Sequence, residues 1–115
     1  MRATTMLAAL TMSAALLLGG CGSDGSSDSV TRIEVTFADG DVTPQGDRLD
    51  AKAGEPIAFV ITADEPGEIH VHSSPEQEFE YESGTHTYEV TIDTPGLVEV
   101  EAHALEKVIV QLEVS

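Results

Sequence analysis

Sulfur, positive charge and helical periodicity are all scarce in this chain. One cysteine and three methionines are its whole stock of soft metal ligands, and all four stand in the first 21 residues, as Met1, Met6, Met12 and Cys21. A single cysteine excludes an internal disulfide, so the hydrophobic core must suffice alone. A metal in the folded part would have nitrogen and oxygen ligands only, which excludes thiolate-based centres. Basic residues number 5 against 21 acidic ones, a net charge of −16. So few cations argue against nucleic acid and against anionic lipid surfaces as partners. The same balance favours cationic partners: metal ions, basic proteins or polyamines. No apolar run reaches the ~20 residues of a membrane-spanning helix. There is no Ser-His-Asp order with a nucleophile elbow and no Gly-rich phosphate loop, and the sequence is not expected to encode an enzyme.

The N-terminus has a secretory layout. Arg2 gives a short positive start, and Met6 to Leu18 is apolar apart from Thr11 and Ser13. Gly19 and Gly20 are small residues of the kind a signal peptidase accepts. Leu18-Gly19-Gly20-Cys21 resembles a bacterial lipobox, which implies cleavage before Cys21 and lipidation of its thiol. Residues 1–20 are therefore expected to be a lipoprotein signal peptide, and the mature protein to be anchored to the cell membrane on its extracytoplasmic side. Removal of Arg2 leaves 4 basic residues against 21 acidic ones, a mature charge of 4 − 21 = −17. Residues 21–29 hold only Gly, Ser and Asp after the cysteine, a composition that behaves as a flexible tether.

Residues 30–115 number 86, enough for one small domain and too few for two. Nearly every segment alternates with a period of two, the pattern of half-buried strands. Ile33, Val35 and Phe37 alternate with polar neighbours, as do Leu49 and Ala51, Ile69 and Val71, Phe79 and Tyr81. Tyr88, Val90 and Ile92 repeat the pattern, then Val98, Val100 and Ala102, then Val108 to Val114. Ile57 to Thr62 is apolar on both faces, as a central strand would be. Asp39-Gly40, Gly54-Glu55-Pro56, Asp64-Glu65-Pro66-Gly67, Ser83-Gly84 and Thr94-Pro95-Gly96 punctuate the runs. The expected fold is all-β: an antiparallel Greek-key β-sandwich of seven to eight strands.

Two stretches resemble the cupredoxins. One is Leu49 to Ile61, a strand, a Gly turn and a strand. The other is Thr94 to His103, a Pro-Gly turn and a strand leading to the loop that in cupredoxins binds metal. Glu68-Ile69-His70-Val71-His72 is similar to the segment that carries the first histidine ligand. The resemblance spans residues 32 to 114 and implies a cupredoxin-like domain. The chain departs from the blue-copper ligand set of two His, one Cys and a weak axial Met. Ala102 stands about where the cysteine is expected, and no methionine follows. Blue-copper electron transfer is therefore not expected.

Histidine offers the remaining ligands. His70 and His72 are two apart on one strand, so their rings share a face. His103 ends a strand whose loop, by the resemblance, lies near them. A His70/His72/His103 site, completed by Glu68 or Glu106, would suit Cu(II) or Zn(II). All three nonetheless take the parity opposite to the core, and outward histidines on an acidic sheet need no metal. His86 has no partner at chelating spacing. The acidic row from Glu76 to Glu82 reads as a solvated face, because calcium prefers oxygens converging from a loop. Two functions stay open. One is a divalent-metal domain outside the cell for storage, delivery or sensing. The other is a metal-free interaction or ligand-binding module with an unknown protein partner.

Overall fold

The computed structural model describes residues 30–115. The expected signal peptide (1–20), Cys21 and the tether (21–29) lie outside the described residues. Among the described residues nine strands follow one another without a helix: β1 (Thr31–Ala38), β2 (Asp41–Thr43), β3 (Asp47–Ala51), β4 (Pro56–Ala63), β5 (Gly67–Val71), β6 (Gln77–Tyr81), β7 (Gly84–Thr91), β8 (Gly96–Ala102) and β9 (Lys107–Val114). They form a four-stranded sheet, β2-β1-β4-β7, and a five-stranded sheet, β3-β9-β8-β5-β6. The chain passes from one sheet to the other between β2 and β3, β3 and β4, β4 and β5, β6 and β7, and β7 and β8.

Alternation produces the two layers. On β1, Ile33, Val35 and Phe37 are buried while Glu34 and Thr36 are exposed. Ile57, Phe59 and Ile61 of β4 meet Ile69 and Val71 of β5, Val98 and Val100 of β8, and Val110 and Leu112 of β9 in one core. Among the described residues every buried side chain is hydrophobic, and of these Tyr81 alone carries a polar atom. Burial of each such side chain contributes about 1.5–3 kcal/mol, which is how a domain without a disulfide holds together. A β-bulge lies where β8 Val100 and Glu101 face Val110 and Val108 of β9. It turns both Ile109 and Val110 into the core.

Two features differ from expectation. The sandwich is mixed rather than wholly antiparallel: β1 pairs parallel to β4, and β3 parallel to β9. Both parallel pairs join strands whose connection crosses the other sheet, and no local signal encodes such a pairing. The ninth strand is β2, three residues that follow Asp39 and Gly40. Both of those residues have positive φ, 54° and 75°, the backbone of a tight hairpin turn.

Candidate metal centre

The outer face of the five-stranded sheet is built by cross-strand register. His70 of β5 lies between Glu78 of β6 and Glu101 of β8. One step along the strand, Glu68 lies opposite Glu80, and its carbonyl accepts the amide of His103 at 3.0 Å. One step the other way, the amide of His72 donates to the carbonyl of Glu99 at 2.9 Å. The result is a checkerboard of imidazoles and carboxylates on one surface. Side chains directly opposite each other across strands sit within interaction distance.

Both ring nitrogens of His70 face carboxylates. Nε2 donates to Glu68 Oε1 at 2.6 Å and lies 3.5 Å from Glu78 Oε2. Nδ1 lies 3.5 Å from Glu76 Oε1. The hydrogen bond to Glu68 raises the pKa of His70 above its ordinary 6.5; partial desolvation opposes this, and the charges of Glu68, Glu78 and Glu76 add to it. His72 is more exposed, with Nε2 3.1 Å from Glu101 Oε2 and Nδ1 3.8 Å from Glu76 Oε1. Glu76 thus approaches both imidazoles.

The three histidines expected to act together do share this face, with His70 in the middle. Their rings are 6.2 Å apart for His70 and His72, and 4.7 Å for His70 and His103. Proximity is not convergence. The His70 and His103 planes are stacked at 7°. Lone pairs lie in the ring plane, so two stacked imidazoles do not point at one ion unless a ring turns.

The donors that do converge are Glu68, His70 and Glu78, whose ligand atoms all lie within 4.8 Å of one another. Ligands ~2.0–2.2 Å from a tetrahedral ion sit roughly 3.3 Å apart, so small side-chain movements close this group around a cation. Glu68 belongs to the group; Glu106, in the β8–β9 turn at φ 51°, does not. Sequence alone does not single out Glu78, whose row reads as solvated. The missing information is the β5–β6 register that places it beside His70. His86 lies on β7 in the other sheet, its Nε2 3.0 Å from the Ser83 carbonyl oxygen.

No protein-family model matches the chain, and no curated protein is significantly similar to it. Solved structures do match. A copper(I) form of an amicyanin variant superposes with a TM-score of 0.54 at 13% identity, covering 73% of this chain and 82% of that one. A purple cupredoxin from Nitrosopumilus maritimus gives 0.54 at 15% identity, over 74% and 99%. The fold is cupredoxin-like. At such identity the likeness carries the fold and not the site.

A blue-copper centre does not fit the residues of this cupredoxin-like domain. Residues 30–115 contain neither cysteine nor methionine. Ala102, at the end of β8, is buried at 1% exposure. The interior at this end of the sandwich is filled by Phe37 stacked on Tyr81, ring centroids 4.6 Å apart, with Leu105 packed against the same core. Imidazole and carboxylate on the outer sheet face fit a harder divalent ion instead.

Proposed function

We propose that this is a lipid-anchored, extracytoplasmic cupredoxin-like domain that binds a divalent cation, Cu(II) or Zn(II), for storage, delivery or sensing. The reading rests on one observation above all: Glu68, His70 and Glu78 bring a nitrogen and two oxygens within 4.8 Å of one another. His72 and Glu101 stand beside them as further donors. Metal entry displaces the proton shared by His70 and Glu68, so binding releases protons. The anchor rests on Leu18-Gly19-Gly20-Cys21, and a Cys21→Ala protein is expected in the soluble fraction instead of the membrane.

The binding test is calorimetric titration of the full chain in neutral detergent with Zn(II) and Cu(II), beside His70→Ala and Glu78→Gln. One stoichiometric site is expected, lost in the first variant and weakened in the second. With Cu(II), nitrogen hyperfine structure in the electron paramagnetic resonance spectrum is expected and disappears with His70. Weak, multiple binding unchanged in both variants would refute the site. A second reading, a metal-free interaction module, is favoured by the 2.6 Å His70–Glu68 hydrogen bond, which satisfies the imidazole without an ion. That refuting result would leave it standing.

A further inference from the structure

The β4–β5 turn, the β6–β7 corner and the β8–β9 turn border an open cleft of about 800 Å³ beside the metal face. Its wall carries three carboxylates, Glu68, Glu80 and Glu82, and two phenols, Tyr81 and Tyr88. Tyr88 is already engaged, its hydroxyl accepting the Glu82 amide at 3.1 Å. Tyr81 is different. Its side chain is buried, the residue 6% exposed, and its hydroxyl makes no hydrogen bond to any described residue. The ring crosses over Gly67, where any Cβ would overlap Oη. The glycine thus lets the hydroxyl reach the cleft wall.

The ring is buried, but the hydroxyl opens onto the cleft and is not sealed in the core, so it is free to bond whatever enters. Here the group beside it must also be compatible with three carboxylates. A bare ion fits poorly, because Glu80 and Glu82 join no convergent donor group and the space is far larger than one ion. An organic cation fits better: about 300–1,000 Å³ is the range of small-molecule sites. Burial, with Asp64 nearby, raises the pKa of Tyr81, so its oxygen is a neutral acceptor at physiological pH.

We propose that this cleft binds an alkylammonium group, one of whose N–H donors meets Tyr81 Oη while its charge is balanced by the carboxylates that line the wall, Glu68, Glu80 and Glu82. Its methylenes lie along the apolar wall at Pro66 and Ala104. The chemistry is common to a free di- or polyamine and to a lysine side chain of a partner.

The test uses the full chain in neutral detergent with divalent ions removed by chelation. It is titrated with 1,4-diaminobutane and with Nα-acetyl-lysine amide, followed by calorimetry and amide NMR. Saturation of one site is expected, with shifts centred on Gly67, Tyr81 and Glu82. Tyr81→Phe keeps the ring stacked on Phe37 and is expected to bind about tenfold more weakly or worse; a cooperative urea transition verifies that it folds. Glu80→Gln and Glu82→Gln weaken binding as well. Tighter binding of the diamine identifies a free amine as the ligand, and tighter binding of the lysine amide a protein side chain. Equal affinity in Tyr81→Phe and wild type would overturn the proposal. So would shifts scattered over the acidic surface.

Discussion

At His70, proton and metal compete for the same nitrogen. The hydrogen bond to Glu68 lifts the folded-state pKa of His70 above 6.5. A raised pKa means the folded state favours the imidazolium. Its contribution to stability is therefore fully present below pH 6.5 and is lost as pH rises through the folded value. Metal affinity moves oppositely and grows over that interval as the ring gives up its proton. In the metal-free protein, NMR titration of the ring protons is expected to place the His70 midpoint above 6.5, and Glu68→Gln to bring it down. A midpoint at or below 6.5 in the wild type would show that the carboxylates do not outweigh desolvation at this ring. Part of this site is legible in the sequence: alternation alone puts His70 and His72 outward on one face, with Glu68 beside them. Glu78 is not, because its role depends on which strand lies next to β5, and only the folded register supplies that. Nor does spacing report ring orientation, so the stacking of His103 is beyond it.

The pairing of β5 with β6 holds the element most exposed to a single methyl group. Gly67 lies directly opposite Tyr81 in this antiparallel pair, and the Tyr81 ring occupies the space above it. An aromatic ring covering a cross-strand glycine is a known way to fix register. Gly67→Ala forces the ring off its stack with Phe37. A loss of about 1–3 kcal/mol is expected, as for other overpacked sites, read as a lower urea midpoint at unchanged m-value. No measurable change would show that the ring has room to move. Gly40→Ala is a useful contrast, since nothing lies within 4 Å of the methyl it would add and only φ +75° opposes it. The strands themselves are plain from the alternation of Ile33, Val35 and Phe37 and its repeats. What alternation does not carry is partner choice. Asp39-Gly40 reads as an ordinary turn, and the three residues of β2 that follow it are too short a run to register as a strand. The parallel pairs couple Thr31 with Ile57 and Asp47 with Val110, separations over which no local pattern acts.

Across the whole molecule, charge opposes folding while the core drives it. The chain carries −16, and much of it is displayed on sheet faces whose opposite sides form the core. Ion pairs relieve little of it. Arg48 reaches Glu113 at 3.4 Å and Lys107 reaches Asp41 at 2.9 Å, both exposed and worth at most about 1 kcal/mol. Like-charge repulsion of this kind is long-range and therefore screened. Between ~0.01 M and ~0.15 M ionic strength the Debye length falls from roughly 30 Å to roughly 8 Å. The urea midpoint is expected to rise over that range in plain NaCl. A divalent ion held by Glu68, His70 and Glu78 should act differently. Coordination depends on contact, so its increment, about 2.7 kcal/mol at a free-ion concentration one hundred times Kd, should persist once the surface is screened. His70→Ala separates the two effects: it should keep the rise with NaCl and lose the rise with Zn(II) at high salt. If Zn(II) still stabilises the variant as much as the wild type, the ion is merely another screening cation, and the outer sheet face is not a metal centre.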